Sequence, residues 1–272
     1  MLRAARVFGL CYFAGGAGIA LAQPAPPETV ETSDLSATFS VVAVDPETGV
    51  CGAAVASMFP AVGKVVPYVQ ADVGAFCTQH YHEPTFGPRA LELLAAGKHP
   101  ADVLAELVRK DEGRDGRQLA IVDLLGRTAV LHPTSARPTS QYWGALSGRY
   151  YAVQGNTLAG RQVIVAMAAA YEETEGSLAD RIMAALLAGD CAGGDHRGRL
   201  AAGIRVCRSG TEGYWLELYV DRSEDAVAEL FREYAKLEHE ARGEWISGSA
   251  TNDDVCSHLP EAARRAISLA TE

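Results

Sequence analysis

Thr38 is the residue of this sequence that we consider first for covalent chemistry. It opens a β-prone run, TFSVVAV, that follows a proline-rich and acidic segment. A threonine hydroxyl is a weak nucleophile until a base removes its proton, and the α-amine of a chain-terminal threonine can be that base. The reference pKa of an α-amine is about 7.7–8.0, so much of it is neutral near physiological pH. This chemistry requires a cut between Ala37 and Thr38; without the cut, Thr38 simply opens a β-strand.

Acyl transfer also needs hydrogen-bond donors for the developing oxyanion, and we expect them from the Asn156 side chain or from backbone amides between residues 74 and 78. Asp195 and Arg197, in a glycine-rich loop, could orient the threonine amine or hold a charged substrate group; the alternative is a helix-capping loop with a surface ion pair. Arg89 could bind a substrate carboxylate, or be an ordinary surface arginine. The predicted catalytic residues are Thr38, Asn156 and Asp195, and the predicted substrate-binding residues are Ser57, Thr78, Arg89 and Arg197.

The sequence does not lead us to predict a metal or another cofactor. His80 and His82 are spaced to lie on one face of a strand, a geometry that can bind zinc, but further ligands are not evident nearby. Cys77 and His80 are a weak candidate for a thiol nucleophile and base, because three residues along a strand point them to opposite faces. The phosphate-binding motif Gly-x-Gly-x-x-Gly and the nucleophile motif Gly-x-Ser-x-Gly are both absent from the sequence.

Composition indicates a globular protein with an acidic surface. The chain has 272 residues, of which 48% are hydrophobic, and a formal net charge of −10 from 34 acidic and 24 basic residues. That charge balance argues against nucleic acid and anionic lipid as partners. A small-molecule or peptide-like amide substrate is the partner we expect, and the sequence leaves a homo-oligomer open.

The N-terminus has the three parts of a secretory signal. Two arginines precede an apolar stretch, and Ala20-Leu21-Ala22 supplies the small residues of a cleavage site. We predict a signal peptide over residues 1–22 and a periplasmic or secreted protein that is not held in the membrane after cleavage. The competing interpretation, a retained anchor, is disfavoured because glycines interrupt a short apolar run. Residues 23–37 are predicted to be a linker or propeptide.

Export would permit disulfides among the five cysteines that follow the signal peptide. Cys51 and Cys77 lie in apolar, strand-like runs and are expected to be buried and free. Cys191 could pair with Cys207 or with Cys256, and their spacing does not choose between the two.

Apolar patterning predicts strands followed by helix pairs, without regular βαβ alternation. This order favours an α+β fold with two antiparallel sheets between helical layers. We expect the domain to cover residues 38–240, with a peripheral tail at 241–272. The predicted strands are 38–44, 50–57, 65–69, 73–78, 118–123, 127–131, 150–154, 201–208 and 214–220. The first predicted helix begins near residue 88, and the others cover 101–110, 161–174, 177–187, 224–240 and 261–270.

A longer set of motifs comprises the run from Thr38 to Gly49, Gly52 to Ser57, Gly87-Pro88-Arg89, Arg117-Gln118, Val153 to Asn156, Gly193-Gly194-Asp195 and Arg197-Gly198-Arg199. Together these motifs resemble a bacterial family catalogued as domain of unknown function 1028, which is grouped with the N-terminal-nucleophile (Ntn) hydrolases. The resemblance implies a four-layer αββα sandwich with Thr38 as nucleophile at the start of the first strand. It predicts an exported Ntn-type amide hydrolase; the alternative is a non-catalytic protein that keeps the fold and binds a small molecule or peptide.

Overall fold

The computed structural model of the protein describes residues 38–134, 141–242 and 255–269. The predicted signal peptide and linker lie outside the described residues. The strands are β1 (Thr38–Asp45), β2 (Val50–Ser57), β3 (Pro67–Gln70), β4 (Gly74–His80), β5 (Arg117–Asp123), β6 (Thr128–Leu131), β7 (Gly144–Gly148), β8 (Tyr151–Asn156), β9 (Ala201–Cys207) and β10 (Leu216–Val220). The helices are α1 (Phe86–Ala95), α2 (Pro100–Val108), α3 (Arg161–Glu173), α4 (Leu178–Cys191), α5 (Ala226–Arg242) and α6 (Glu261–Ser268).

The strands form two antiparallel sheets. The larger has six strands in the order β10-β9-β2-β1-β8-β7, and the smaller has four in the order β3-β4-β5-β6. Neighbouring strands within each sheet pair in antiparallel fashion. The predicted α+β class with two antiparallel sheets is therefore confirmed, and β1 lies near the middle of the larger sheet.

Both faces of β1 are buried, which explains why its sequence is almost uninterruptedly apolar. Phe39, Val41 and Ala43 contribute to a cluster that also contains side chains of α3 and α4. Val42 and Val44, on the other face, join a cluster that contains side chains of β4 and β5 from the smaller sheet. Successive side chains of a strand point to opposite faces, so Thr38 and Ser40 share the face of Val42. The side chain of Thr38 is thus directed toward the smaller sheet.

Helix α4 leads into the loop that contains Asp195, and local sequence determines both of its ends. At its start, Ser177 Oγ accepts from the Asp180 backbone N–H at 3.2 Å, while the Asp180 carboxylate accepts from the Ser177 N–H at 2.8 Å. This reciprocal pair is a capping box. After the helix, Gly193 and Gly194 have φ of 104° and 48°. Positive φ is favourable for glycine, so the chain can turn sharply there and reach Asp195.

The C-terminal segment was expected to be peripheral, but its described part contributes to the core. Val255, Leu259 and Ala263 are buried in the cluster that also contains side chains of α3 and α4. A disulfide joins Cys191 at the end of α4 to Cys256, with a Cα–Cα distance of 6.0 Å. The structure therefore chooses between the two pairings that the sequence left open.

The remaining described cysteines, Cys51, Cys77 and Cys207, are free and buried, as predicted for Cys51 and Cys77. Every helix within the described ranges is too short or too polar to cross a bilayer.

Candidate functional site

Thr38 lies between two other predicted site residues in one row across the larger sheet. In the strand register it faces Ser57 of β2 on one side and Asn156 of β8 on the other. All three residues are fully buried. Thr38 Oγ1 is 3.1 Å from Ser57 Oγ, close enough for a hydrogen bond. Because Ser57 Oγ also accepts from the Phe59 backbone N–H at 3.0 Å, its position is fixed from the other side.

The smaller sheet contributes two glutamines that approach Thr38 from the opposite direction. Gln79 of β4 donates from Nε2 to the backbone carbonyl oxygen of Thr38 at 3.1 Å and to Gln118 Oε1 at 2.8 Å. Asn156 Nδ2 donates to the same Gln118 oxygen at 2.8 Å, and to the Thr38 carbonyl oxygen at 3.5 Å. Gln118 therefore orients both side-chain amides so that their N–H groups point at the backbone of Thr38.

This arrangement differs from the oxyanion site that we expected from the sequence. The side-chain amide of Asn156 donates to Gln118 and to the Thr38 carbonyl oxygen, so it helps to position the backbone of Thr38. The backbone amide of Thr78, one of the amides from residues 74 to 78 that we expected to serve as donors, instead donates to the Val66 carbonyl oxygen at 3.4 Å. Asn156 therefore lies beside Thr38, and its contacts hold the start of β1 in place.

The polar network continues away from Thr38 along the same face of the larger sheet. Ser40 Oγ donates to Gln79 Oε1 at 2.7 Å, and Gln154 Nε2 donates to Ser40 Oγ at 3.3 Å. Gln118 Nε2 donates to the Gly155 carbonyl oxygen at 2.9 Å. Buried amides and hydroxyls destabilise the folded state unless they are hydrogen-bonded, so these contacts offset the free-energy cost of placing polar side chains between the two sheets.

Four members of this network were not among the predicted site residues: Ser40, Gln79, Gln118 and Gln154. A signal for part of the set was present. Thr38 and Ser40, and again Gln154 and Asn156, are polar residues two apart in otherwise apolar strands. A period of two places each pair on one strand face, which indicates a polar patch inside the protein.

Asp195 lies in a loop that crosses the end of the larger sheet where β1 begins. Residue 195 forms an antiparallel bridge with Leu158, just beyond β8, and the His196 N–H donates to the Thr157 carbonyl oxygen at 3.1 Å. On the other side of β1, the Leu200 N–H donates to the Ser57 carbonyl oxygen at 2.8 Å. The loop is therefore anchored to the strands on both sides of Thr38.

The Asp195 carboxylate is fully buried and only partly satisfied. Its Oδ1 accepts from the Arg197 backbone N–H at 2.9 Å and from Arg197 Nε at 3.4 Å. Its Oδ2 is buried and has no hydrogen-bond partner among the described residues. Burial raises the pKa of Asp195, with the contacts of Arg197 acting in the opposite direction. A buried acceptor with a free oxygen is suited to receive a cationic or N–H group.

Two of the predicted substrate-binding residues are not brought to this group. Thr78 neighbours Gln79 in β4, so it points to the opposite face, the face of Phe76, whose side chain packs with α1 and α2. Arg89 is on α1, where its guanidinium pairs with Glu92 and Glu106, each at 2.8 Å. These contacts raise the pKa of Arg89 further above its ordinary value. Arg89 therefore has the environment of a surface arginine.

The two histidines that we considered for zinc bind backbone carbonyl groups instead. The His80 ring is 2.7 Å from the Gly116 carbonyl oxygen, and the His82 ring is 2.9 Å from that of Val65. Burial lowers the pKa of His82 and favours its neutral form. Within the described ranges, no three His, Cys, Asp or Glu side chains cluster in a way that could hold a metal ion.

Comparison with known proteins links the chain to one family. Residues 38–230 match a family described as a family of unknown function, DUF1028. The crystal structure of protein SPO2555 from Silicibacter pomeroyi, described with the same family, is similar at 29% identity with a TM-score of 0.66, covering 74% of this chain and 89% of that one. Anbu (ancestral beta-subunit) from Yersinia bercovieri matches at 7% identity and a TM-score of 0.34, covering 79% of this chain and 100% of that one. No curated protein matches the sequence.

Proposed function

The chain belongs to DUF1028, a family of unknown function, and we propose from its site that it is an exported hydrolase of the Ntn type, which cleaves an amide bond with Thr38 as N-terminal nucleophile. The fold that goes with this proposal is a four-layer αββα sandwich. Three apolar clusters support it: one lies between α3, α4 and the larger sheet, one between the sheets, and one between the smaller sheet and α1 and α2.

The observation that carries the proposal is the way Thr38 is held. It is the first residue of a central strand, its hydroxyl is 3.1 Å from Ser57 Oγ, and its carbonyl oxygen accepts from Gln79 at 3.1 Å. These contacts hold the side chain and the backbone of Thr38 in one position. Immobilising the nucleophile before reaction lowers the entropic part of the barrier.

The proposed reaction begins with a cut between Ala37 and Thr38, which gives Thr38 a free α-amine. The amine takes the hydroxyl proton as Thr38 Oγ1 bonds to the carbonyl carbon of the substrate amide. The substrate C–N bond then breaks, its nitrogen takes that proton, and a threonyl ester remains. Water hydrolyses the ester, releases a carboxylic acid and restores the hydroxyl.

Asp195 has a defined place in this proposal. The loop that contains it is anchored at Leu158 and at Ser57, on both sides of the strand that begins at Thr38. Its free Oδ2 could accept a hydrogen bond from the new α-amine and so orient that base. Because burial raises the pKa of Asp195, a cationic neighbour there would return it toward its ordinary range.

Arg197 is the predicted substrate-binding residue that best fits the chemistry of an anionic substrate. Its side chain is 34% exposed and lies beside the buried Asp195, so part of the guanidinium is available to solvent. We propose that it receives a carboxylate of a small or peptide-like amide. Arg89 offers a matched comparison, since it is an exposed arginine whose partners are already two glutamates.

The disulfide between Cys191 and Cys256 supports the exported part of the proposal, because structural disulfides form and persist in oxidising compartments. Export itself is a separate proposal from catalysis. Expression with residues 1–22 intact, followed by fractionation, tests it: the protein should be recovered outside the cytoplasm with residues 1–22 removed.

The catalytic proposal is tested by intact mass and by a nucleophile-directed reagent. We expect the mature protein to begin at Thr38 and to gain one acyl group from a β-lactone, an electrophile that acylates hydroxyl nucleophiles without requiring the natural substrate. Peptide mapping should find the acyl group on Thr38. Thr38→Ser should retain this acylation and Thr38→Ala should lose it, whereas Arg89→Ala should react like the natural protein.

The alternative function is a non-catalytic protein that keeps this fold and binds a small molecule or peptide. It predicts folded, exported protein that begins at Gln23 and is not acylated. For the substrate charge, Arg197→Ala should weaken the hydrolysis or binding of amides with a carboxylate and leave neutral amides unchanged. An equal effect on both kinds of amide would contradict that role for Arg197.

A further inference from the structure

Two of the free cysteines lie directly opposite each other on neighbouring strands. Cys51 of β2 and Cys207 of β9 are register partners in the antiparallel pair. Both belong to the apolar cluster between the two sheets, so their side chains are on the same face. Cys77, the third free cysteine of the described residues, faces Pro67 and Ala120 in its own sheet instead.

This register meets the geometric requirement for a disulfide. Facing residues of antiparallel strands have Cα atoms about 4.5 Å or about 5.5 Å apart, depending on the type of pair. Disulfides join Cα atoms that are about 4.4–6.8 Å apart, so either type of pair falls inside the range. Cys51 and Cys207 could therefore be joined without a change in strand pairing.

The environment of the thiols also offers a route for a reagent. Cys207 borders an open cavity of about 430 Å³ whose lining includes Thr211, Gly213 and Tyr214. Its thiol contacts the Val69 carbonyl oxygen at 3.5 Å, and the Cys51 thiol contacts that of Gly49 at 3.6 Å. Thiols are weak donors, so these contacts can be given up at little cost. Cys51 itself is fully buried, and only Cys207 is next to the cavity.

We propose that Cys51 and Cys207 are a redox-active pair that a small-molecule disulfide, such as glutathione disulfide, converts reversibly to a cross-strand disulfide. Cys207 loses its proton and its sulfur attacks one sulfur of the reagent, giving a mixed disulfide and one released thiolate, which takes up a proton. Cys51 then loses its proton and attacks Cys207 Sγ, forming the protein disulfide and releasing the second thiol. The two protein thiols are oxidised and the reagent disulfide is reduced to two thiols.

Burial makes this exchange slow, since the thiolate is the reacting species. It raises the pKa of Cys51 to about 12 and raises the pKa of Cys207 as well. The pair is also remote from the candidate nucleophile. Ser57, beside Thr38, is at the other end of β2, six residues or about 20 Å from Cys51 at the usual rise of a strand. A negative result for the cysteine pair would therefore not contradict the hydrolase proposal, and the reverse also holds.

The test uses the folded full chain, incubated for hours with glutathione disulfide or with dithiothreitol, then quenched in acid, alkylated and mapped by peptide mass spectrometry. We expect a linked peptide pair containing Cys51 and Cys207 after oxidation, an alkylated Cys77, and loss of the link on reduction. A lasting glutathione adduct on Cys207 with Cys51 alkylated would overturn the proposal. So would alkylation of both cysteines after prolonged oxidation.

Two variants separate this pairing from nonspecific oxidation. Cys77→Ser should form the Cys51–Cys207 link as the natural protein does. Cys51→Ser should stop at the mixed disulfide on Cys207, because the second thiol is missing. Should Cys51→Ser instead link Cys207 to Cys77, the oxidation would not depend on the register of β2 and β9, and the proposal would be wrong.

Discussion

The side-chain amide of Gln79 donates a hydrogen bond of 3.1 Å to the backbone carbonyl oxygen of Thr38. The two residues are 41 positions apart in the sequence and belong to different sheets. Both are fully buried, so water does not substitute for this contact. This hydrogen bond connects the first residue of β1 to the smaller sheet at the residue that we propose to be the nucleophile.

Replacing Gln79 by glutamate should destabilise the protein. The new side chain has nearly the same shape, but it presents acceptors instead of an N–H group to the carbonyl oxygen of Thr38 and to Gln118 Oε1. An unsatisfied buried polar group costs about 1–3 kcal/mol, and a buried charge costs more. We expect the free energy of unfolding at pH 7 to fall by about 3 kcal/mol, measured by urea denaturation.

Gln70→Glu is the matched control. The substitution is chemically the same and lies in the same sheet, but Gln70 is exposed at the end of β3. Surface substitutions usually change stability by less than about 0.5 kcal/mol. Equal urea midpoints for Gln79→Glu and Gln70→Glu would mean that Gln79 is not held between the sheets.

Most elements of the fold could be predicted because their own residues specify them. The run from Val50 to Ser57 was predicted with the boundaries that β2 has. Strand β7, Gly144–Gly148, was missed: its sequence GALSG has two glycines and little β propensity. It is a strand because it pairs with β8, and a local pattern does not contain that partner.

The site was less accessible to sequence analysis, because it depends on register within one sheet and on packing between two. Thr38, Ser57 and Asn156 were predicted, and the register joins them in one row. Gln79 and Gln118 come from the other sheet, and only the packing of the sheets brings them to Thr38. Thr78, the predicted residue of β4, is one position from Gln79 and therefore lies on the opposite face of the strand.

Asp195→Asn should change the pH dependence of stability. Because burial raises the pKa of Asp195, the folded state holds this proton more tightly than the unfolded chain does. The contribution of Asp195 to stability therefore falls as pH rises from its unfolded pKa, about 4, to its raised folded pKa, and is constant above that. Asparagine does not ionise, so the variant should gain stability relative to the natural protein across this interval.

The measurement is the difference in unfolding free energy between the two proteins by urea denaturation, from about pH 3.5 to about pH 8. Glu212→Gln serves as the control, because Glu212 is exposed and surface substitutions usually change the unfolding free energy by less than about 0.5 kcal/mol. A constant difference for Asp195→Asn over the whole range would contradict a buried carboxylate. In the proposed mechanism the same substitution should slow acylation of Thr38, so stability and reactivity should change in opposite directions.

The disulfide between Cys191 and Cys256 should contribute to the free energy of unfolding by holding the C-terminal segment against the rest of the protein. It connects residues 65 positions apart, and removing such a link typically costs about 2–4 kcal/mol. The double variant Cys191→Ser, Cys256→Ser should lose about this much unfolding free energy. A reductant should lower the natural protein to the same level and leave the variant unchanged. A variant that still responds to the reductant would show that another disulfide carries the effect.

Gln118 should be the member of the network that is least tolerant of substitution. Its Oε1 accepts from Gln79 and from Asn156, each at 2.8 Å, and its Nε2 donates to the Gly155 carbonyl oxygen at 2.9 Å. Gln118→Met keeps the length of the side chain and removes one hydrogen bond from each of these three partners. At about 1–3 kcal/mol for each unsatisfied group, we expect the free energy of unfolding to fall by at least about 3 kcal/mol, measured by urea denaturation.

Gln118→Glu separates hydrogen bonding from packing at the same position. Below about pH 4 the introduced carboxyl group is protonated, so it can accept from Gln79 and Asn156 and donate to the Gly155 carbonyl oxygen, as the natural side chain does. Once ionised, it loses the donor and becomes a buried charge. The variant should therefore approach the natural protein in acid and lose stability as pH rises, whereas Gln118→Met should be destabilised at every pH. If Gln118→Glu matches the natural protein at pH 8, then solvent reaches this end of the inter-sheet layer, and the positioning of Thr38 by buried amides would have to be abandoned.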